Sequence, residues 1–484
     1  MPLILALDQG TTGSTALVLD EDGHVRGRGY HELPQHFPIP GWVEHDPEEI
    51  WATTLASARS ALAAAKATGA DVVAIGITNQ RETAVLWDRV SGRPLYRAIV
   101  WQDRRTADRC RELDPAMIAE KTGLVPDPYF SATKLEWLLG ATNRPAGAAF
   151  GTVDSWLVHR LTKGASHVTD PTNASRTMLY DIGRLAWDDE LLALFGVDRA
   201  MLPEVRPSAG AFGMADREWF GREVPITGIA GDQQAALFGQ GCTAAGSAKN
   251  TYGTGAFLLL NTGARRVHSR AGLLTTIACD ASGRACYALE GSVFIAGAAI
   301  QWLRDGLGLI AQAKETEELA RSVPDAGGVV FVPALTGLGA PYWVSEARGA
   351  IFGLTRGTTR AHLARATLKS MAFSVREVLD AMIADAELEI TDLRVDGGAT
   401  ANDWLMQFQA DVLGVPIRRP DVIESTAFGA GALAGLGSGV WRSAADYMTH
   451  RHYRDFPPGP MPVEQWKAWQ RAVRATLGWA RDRS

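Results

Sequence analysis

The sequence predicts an α/β protein made of two similar halves, and three observations support this. The chain has 484 residues, more than one ordinary hydrophobic core accommodates. Short apolar runs typical of buried strands alternate with longer segments of helical pattern. A strand, a Gly/Thr-rich turn and a second strand occur at residues 3–20 and again at 249–260. Because a repeated unit indicates internal duplication, we expect domains over 1–242 and 243–484, with a hinge near 241–246.

Composition restricts the classes of function. Hydrophobic residues make up 46% of the chain and charged residues 21%, as in soluble globular proteins. The net charge of −6 argues against a nucleic-acid partner and against binding to an anionic membrane surface. No apolar run is long enough to span a bilayer, and no signal peptide precedes Asp8. Four cysteines without a C-x-x-C pair form no disulfide framework, so we expect a reducing, cytoplasmic setting.

The first hairpin carries a candidate phosphate-binding turn. Its tip, residues 8–13, reads Asp-Gln-Gly-Thr-Thr-Gly, and backbone amides and Thr hydroxyls in such a turn can surround phosphate oxygens. The tip contains no Lys and no helix follows it, so it is not a Walker loop. The alternative is an ordinary hairpin turn.

Polar groups follow two further predicted strands of the first half. The strand at 72–77 is followed by Arg81 and Glu82, and the strand at 98–100 is followed by Trp101. The carboxyl ends of strands are the usual ligand-binding edge of an α/β sheet. The alternatives are a surface ion pair between Arg81 and Glu82, and a Trp at the edge of the core.

The segment 228–240 holds a carboxylate between a glycine turn and a predicted helix. Asp232 follows Gly231 and precedes residues that favour helix. On residue types alone, an N-cap is the preferred interpretation. The positive end of a helix also suits an anionic side chain, so Asp232 can begin the helix and face a substrate.

The second half repeats the first with its own Gly/Thr turn at 252–255. A predicted helix at 294–307 follows, and a later strand ends in Asp-Gly-Gly at 396–398, where a flat ligand can approach the backbone closely. Residues 429–434 match a loosened G-x-G-x-x-A, but no strand with a ribose-binding acid follows. We therefore predict close helix packing there. Metal-binding spacings such as H-E-x-x-H are absent.

Taken in order, these stretches resemble the FGGY carbohydrate kinases, and within them the glycerol kinase group. The resemblance covers nearly the whole chain. It rests on the motifs at 7–12, 41–47, 79–83, 101–106, 231–234, 252–255 and 396–398. It implies an α/β fold of two ribonuclease H-like domains, similar to those of actin and the chaperone ATPases, with a cleft between them.

The resemblance also implies roles for individual residues. Asp232 matches the catalytic base, and Asp8 matches the residue that holds Mg²⁺ through water. The positions that match the substrate site are Arg81, Glu82, Trp101, Tyr129, Asp232, Gln233 and Phe257. The positions that match contacts to ATP are Thr11, Thr12, Gly13, Thr254, Gly297, Gln301, Gly398 and Asn402.

The expected reaction is transfer of a phosphoryl group from ATP to a terminal hydroxyl of glycerol, which gives sn-glycerol 3-phosphate. The bulky rings of Trp101 and Phe257 favour a three-carbon substrate. One alternative is a kinase for another polyol or sugar, such as xylulose or gluconate. An alternative from another class is a nucleotide-switched interaction protein. The resemblance also implies a homo-oligomer, either a dimer or a tetramer.

Several positions depart from the pattern of the family. Thr15 stands where many members have Arg, so one phosphate contact is expected to be missing. The 214–224 loop lacks the Gly-rich insert that binds fructose 1,6-bisphosphate in some bacterial members, so we expect no inhibition by that sugar. Glu218 stands where another group has a phosphorylatable His, so activation by that route is not expected. Val344 and Ser345 replace Asp-Pro, and nothing follows from that change.

Overall fold

The fold is organised around two large sheets. The computed structural model describes residues 2–449 and 451–482. One sheet has six strands and is formed by the first half of the chain, whereas the other has seven and is formed by the second half. Among the described residues, no helix combines the length and apolar character needed to cross a membrane.

Over residues 2–242, the first half contains fourteen strands and nine α-helices. The strands are β1 Leu3–Gln9, β2 Gly13–Leu19, β3 Val25–Glu32, β4 Glu44–His45, β5 Val72–Asn79, β6 Val85–Asp88, β7 Ala98–Ile99, β8 Ala148–Gly151, β9 Val168–Thr169, β10 Tyr180–Asp181, β11 Ala186–Trp187, β12 Glu204–Val205, β13 Ala209–Ala215 and β14 Val224–Gly231. The helices are α1 Pro47–Ala64, α2 Ala107–Arg111, α3 Pro115–Thr122, α4 Ser131–Ala141, α5 Val153–Leu161, α6 Pro171–Ala174, α7 Asp189–Leu194, α8 Arg217–Phe220 and α9 Asp232–Gly239.

Among its described residues, the second half contains nine strands and seven α-helices. The strands are β15 Ala248–Tyr252, β16 Ala256–Gly263, β17 Leu274–Ile277, β18 Tyr287–Val293, β19 Val330–Val332, β20 Ala350–Phe352, β21 Leu393–Asp396, β22 Ile417–Pro420 and β23 Tyr453–Phe456. The helices are α10 Gly297–Gln301, α11 Glu315–Arg321, α12 Arg360–Ala386, α13 Asp403–Leu413, α14 Ser425–Gly437, α15 Ala444–Met448 and α16 Val463–Arg481.

The two sheets share one topology, which confirms the predicted duplication. In the first, β1 pairs antiparallel with β2 and parallel with β5, and β5 pairs parallel with β14. In the second, β15 pairs antiparallel with β16 and parallel with β21, and β21 pairs parallel with β22. The outer strands β3 and β18 extend the hairpins in the same antiparallel sense. Each hairpin tip therefore lies at the carboxyl end of a parallel strand pair.

Alternating side chains of the first sheet pack into two different cores. Leu5 and Leu7 of β1 face a cluster that includes α1 and α5, whereas Ile4 and Ala6 face a cluster that includes α9 and α14. This is the period-two alternation of a sheet covered on both faces. Helix α14 comes from the second half of the sequence, so the chain returns to cover the first sheet.

Small residues allow α14 to approach this sheet and α9 closely. A Cβ atom on Gly429 would overlap the Ala235 carbonyl of α9, and one on Gly228 of β14 would overlap the backbone of Ala434. The glycines of 429–434 therefore serve close helix packing, as the sequence predicts. The matching contacts on β14 and α9 could not be assigned from the sequence alone.

Helix α9 lies between the two sheets. Its Ala235 and Phe238 pack in the core of the first sheet, while Leu237 packs against Leu259 and Ala288 of the second. This position places the first residue of α9 where the two halves meet.

The structure changes one prediction about the second half and agrees with the prediction about the cysteines. The helix expected over 294–307 is shorter, because α10 ends at Gln301 and a wider π-helical turn, Trp302–Gly306, follows it. The four cysteines are all buried free thiols, consistent with the absence of a disulfide framework.

Candidate active site

The first hairpin tip is a tight turn between β1 and β2. The Gly10 amide donates to the Gly13 carbonyl over 2.9 Å, which closes the turn and leaves Thr12 exposed. Gly13 has no room for a side chain, because a Cβ atom there would lie 2.7 Å from the His31 carbonyl. The Thr11 hydroxyl accepts a bond of 2.9 Å from the Trp101 indole. The tip is thus joined directly to one wall of the predicted substrate site.

The second tip is closed by the start of α10. The Thr254 carbonyl accepts from the Ala296 and Ala298 amides, and the Gly297 amide donates to the Gly253 carbonyl over 3.0 Å. The structure therefore brings Thr254 and Gly297 together, and their contact with a nucleotide stays a prediction. A Cβ atom on Gly297 would lie 2.5 Å from the Gly253 carbonyl, so this close approach requires glycine.

The Gly-Gly turn after β21 packs beside the second tip. Gly397 has a φ of 91°, in the left-handed region, and a Cβ atom there would overlap the carbonyl of Tyr252, just before the tip. Gly398 is exposed, and no atom lies within 4 Å of where its Cβ would be. The second tip, the start of α10 and this turn therefore form one glycine-rich surface.

The last two predicted nucleotide positions lie at the ends of helices. Gln301 is exposed at the end of α10. Asn402 is the N-cap of α13, and its side-chain oxygen accepts the Leu405 amide over 2.9 Å. The Asn402 amide group points to Thr316 at 3.3 Å. In this structure Asn402 acts as a helix cap, and its contact with a nucleotide stays a prediction.

Arg81 lies at the centre of the predicted substrate site. Its guanidinium donates to both oxygens of Glu290 over 2.6 and 2.9 Å and to Gln234 over 3.1 Å. Its Nε lies 3.1 Å from an Asp232 carboxylate oxygen, and one terminal nitrogen lies 3.4 Å from the Tyr129 hydroxyl. Because Arg81 is only 2% exposed, the alternative of a surface ion pair is wrong.

Glu82 is buried beside Arg81 in an unusual backbone conformation. Its φ of 63° is left-handed, which is costly for a residue with a side chain and is typical of functional sites. Its carboxylate accepts from Arg176 over 2.6 Å and lies 3.7 Å from the Arg81 Nε. Burial raises the pKa of Glu82, while Arg81 and Arg176 act in the opposite direction.

Aromatic rings form a wall beside these charges. Trp101 and Tyr129 pack edge to face with ring centroids 5.5 Å apart, and both are partly exposed. Phe257 belongs to β16 of the other sheet, opposite Thr251 of β15, and is also partly exposed. The structure thus brings Trp101 and Tyr129 together and places Phe257 on the facing half.

Asp232 begins α9 but is not its cap. Gly231 is the N-cap residue and Asp232 is the first helical residue, so the N-cap interpretation is wrong by one position. Its side chain is 30% exposed, accepts the Gln233 amide over 2.7 Å and is fixed from the other side by Arg81. The carboxylate is therefore held in place and still reaches solvent, which a proton acceptor requires.

Asp8, at the end of β1, is the second carboxylate of the cleft. Burial raises the pKa of Asp8 to about 7, and the neighbouring Asp232 carboxylate adds to that shift. A bound cation would offset the cost of holding a negative charge at this buried position. The role of Asp8 in holding Mg²⁺ through water stays a prediction.

Two family profiles together cover most of the chain. The N-terminal domain of the FGGY family of carbohydrate kinases matches residues 3–239, and its C-terminal domain matches 248–438. The chain belongs to the FGGY family of carbohydrate kinases.

Individual FGGY relatives align over nearly full length. The chain is 56% identical to the glycerol kinase of Dechloromonas aromatica (strain RCB), over 99% of this chain and 98% of that one. It is 53% identical to glycerol kinase 2 of Thermotoga maritima, over 99% of each. Its structure is similar to that of Plasmodium falciparum glycerol kinase with ADP, with a TM-score of 0.92, 37% identity and coverage of 99% and 98%. These matches bear out the resemblance stated from the motifs.

Three charged residues of this FGGY kinase site were missed from the sequence. Arg176 donates to Glu82 and, over 3.1 Å, to Glu290 of β18. Lys249 of β15 donates to Gln233 over 2.5 Å and to Thr251 over 2.7 Å. A lone charge after the apolar start of β18 was the available signal for Glu290, because such a charge needs a buried partner, whereas Lys249 lies in the polar strand Ala-Lys-Asn-Thr-Tyr and gave no such signal.

The buried charges join the two halves of the kinase. Arg81 and Arg176 come from the first half and Glu290 from the second, and all three are at most 2% exposed. Burial alone would raise the pKa of Glu290, but Arg176 and Arg81 lower it to about 2. The predicted substrate residues Arg81 and Glu82 therefore belong to an ion-pair network that spans both sheets.

Proposed function

We propose that the protein phosphorylates glycerol at a terminal hydroxyl, with ATP as the phosphoryl donor, to give sn-glycerol 3-phosphate. The observation that carries this proposal is the convergence of Arg81, Glu82, Tyr129 and Asp232 beside the Trp101 ring. Identities of 53–56% to named glycerol kinases support it. Paired charged donors and acceptors suit the hydroxyls of a polyol, and the rings suit its carbon chain.

In the proposed reaction, Asp232 accepts the proton of the attacking hydroxyl. The freed oxygen forms a bond to the γ-phosphorus as the bond to the β,γ-bridging oxygen breaks, and ADP leaves. Arg81 fixes the Asp232 carboxylate at 3.1 Å, so the base is oriented before the substrate arrives. Positioning of this kind is the main contribution of a protein to phosphoryl transfer.

The two hairpin tips are proposed to hold the triphosphate from opposite sides. Thr11, Thr12 and Gly13 would contact it from the first half, and Thr254 from the second. Gly297, Gln301, Gly398 and Asn402 would contact the remainder of the nucleotide. Backbone amides at Gly/Thr turns give fixed donors to phosphate oxygens without a lysine.

The donor set at Asp8 fits Mg²⁺. A hard cation prefers carboxylate oxygens and water, and the buried Asp8 carboxylate, whose pKa is raised by burial and by the neighbouring Asp232, offers such an oxygen. When bound, Mg²⁺ would neutralise charge on the transferring phosphoryl group.

The domain arrangement remains part of the proposal. We predict a domain boundary at residue 242 and a hinge over residues 241–246. We also predict a cytoplasmic setting and a dimeric or tetrameric assembly. Closure about the hinge would exclude water and so limit hydrolysis of ATP. The buried bridge from Arg81 to Glu290 supports a closed arrangement of the two halves.

A substrate panel tests the proposal. ADP release is measured with glycerol, xylulose, gluconate or no acceptor, at fixed ATP and Mg²⁺. We expect glycerol to give the highest kcat/KM and the rate without acceptor to be at least about a hundredfold lower, since an unpositioned water is a poor nucleophile. A higher kcat/KM with xylulose would favour a sugar kinase. Equal rates with and without glycerol would favour a nucleotide-switched interaction protein.

A further inference from the structure

A cavity of about 250 Å³ lies in the second half, between β19, α12 and the start of α16. Its walls include Phe331 of β19, Lys369 and Phe373 of α12, and Gln465 and Trp469 of α16. None of the proposed substrate, nucleotide or metal positions lines it. At roughly 30 Å³ per molecule, this volume corresponds to about eight waters, so it can hold a small organic compound.

Lys369 brings a buried amine into this cavity. The residue is only 8% exposed, and it makes no hydrogen bond or ion pair with any described residue. Its charged neighbours are Arg365 on the same helix and Asp325 before β19. Burial lowers the pKa of Lys369 to about 8, and Arg365 adds to the shift. The amine is therefore still mostly protonated at neutral pH, and an unpaired buried ammonium favours an anionic partner.

The N-terminus of α16 provides a second, independent feature. This helix has 19 residues and begins at Val463, and its N-cap residue Pro462 makes no side-chain capping bond. The amides of Glu464 and Gln465 in its first turn donate to no described residue. Uncapped amides at the positive end of a long helix form a ready anion site.

The remaining walls combine aromatic rings with two carboxylates at the exposed edge of the cavity. Phe331, Phe373 and Trp469 present rings to the cavity, whereas Asp325 and Glu464 place carboxylates at its exposed edge. Rings favour a compact apolar body, and the acidic edge disfavours a second negative charge on the ligand.

We infer that this cavity is a binding site for a small organic monoanion. Its carboxylate would lie between Lys369 and the first turn of α16, and its apolar body would pack against the rings. Phe331 also stacks on Trp302 at 5.3 Å, and Trp302 directly follows Gln301. A bound anion would thus contact a ring that packs beside the proposed nucleotide site.

Calorimetric titration with benzoate tests this site, with the neutral isostere benzamide as comparison. ADP and glycerol are kept saturating so that the proposed catalytic site is occupied. We expect saturable benzoate binding to the wild type and about ten- to a hundredfold weaker binding to Lys369→Met, because a charge-assisted contact is lost. Lys314→Met, at an exposed lysine of the same half, should bind benzoate like the wild type.

A second variant separates loss of the site from loss of the fold. Ala366→Leu fills the cavity and keeps the amine, since Ala366 is one of its wall residues. It should also weaken benzoate binding, with circular dichroism confirming that each variant is folded. The inference is overturned if the folded wild type shows no benzoate binding up to its solubility limit. Equal affinity in Lys369→Met, or equal affinity for benzamide, would overturn it as well.

Discussion

The proposed substrate side and the proposed nucleotide side of the cleft are built in different ways. On the substrate side, Arg81, Arg176 and Glu290 are buried side chains bound to one another across the two sheets. On the nucleotide side, Thr12 and Gly398 lie on exposed turns whose shape is set by backbone bonds and glycines. Buried ion pairs hold the proposed substrate side in shape, whereas backbone hydrogen bonds and glycines set the shape of the proposed nucleotide side.

This difference predicts different consequences of substitution. A change among buried charges leaves a partner unpaired, so binding and folding should suffer together. A change at an exposed glycine turn has few protein neighbours, so it should alter ligand affinity alone. The four predictions below test this contrast, starting with the largest expected effect.

Asp232→Asn should lower kcat by about 10²–10⁴-fold, the usual contribution of a positioned base. The KM for ATP should change little, because Asp232 is expected to contact the acceptor rather than the nucleotide. Steady-state ADP release measures both constants. Asp189→Asn is the matched control, since Asp189 is also the first residue of a helix but is exposed. A kcat within a few-fold of wild type would reject Asp232 as the base.

Glu290→Gln should destabilise the protein by about 3–5 kcal/mol. Arg81 and Arg176 would stay buried, but the negative charge that pairs with them would be lost. The KM for glycerol should rise as well, since the glutamine NH2 group cannot accept one of the two short bonds that Arg81 donates to Glu290. Urea unfolding and glycerol titration measure the two effects.

Glu377→Gln is the control for Glu290→Gln. Burial raises the pKa of Glu377 to about 7, so the native side chain is already partly neutral and the change should cost less. Reduced stability of Glu290→Gln with an unchanged KM for glycerol would mean that the network is structural and does not orient the substrate residues.

The sequence was sufficient for features whose physical cause is local. The duplicated hairpins, the polar strand end at Arg81 and the tight packing at 429–434 follow from strand, turn and glycine patterns. The network was not predictable, because Arg81 and Glu290 are 209 residues apart and meet only through the packing of two sheets. The return of α14 onto the first sheet was missed for the same reason. The pattern of apolar residues does not indicate that the helix ends at Gln301.

Gly398→Ala should raise the KM for ATP by about tenfold, because an added methyl group would meet the nucleotide and cost about 1–3 kcal/mol. No protein atom lies near that Cβ position, so the melting temperature should stay close to that of the wild type. Gly140→Ala is the control, since its Cβ position is equally open but lies at the end of α4. An unchanged KM for ATP in folded Gly398→Ala would show that the nucleotide does not approach this turn.

The smallest effect is expected from Lys249→Arg. This change tests the contact between Lys249 of the second half and Gln233 of the first. Burial lowers the pKa of Lys249 to about 8, while Asp396 and Asp232 act in the opposite direction. The positive charge beside Gln233 is therefore present below about pH 8 and is lost as the pH rises through that value. If this charge stabilises the transferring phosphoryl group, kcat should fall above about pH 8.

An arginine stays protonated throughout the accessible range, so Lys249→Arg should move the alkaline limb of the kcat profile to higher pH. Lys134 must be separated from this effect, because burial lowers its pKa to about 7 and its amine donates to the Tyr129 carbonyl over 2.6 Å. An alkaline limb that stays in place in Lys249→Arg and disappears in Lys134→Met would assign the titration to the substrate side. A limb that moves in Lys249→Arg alone would show that the positive charge of Lys249 supports phosphoryl transfer.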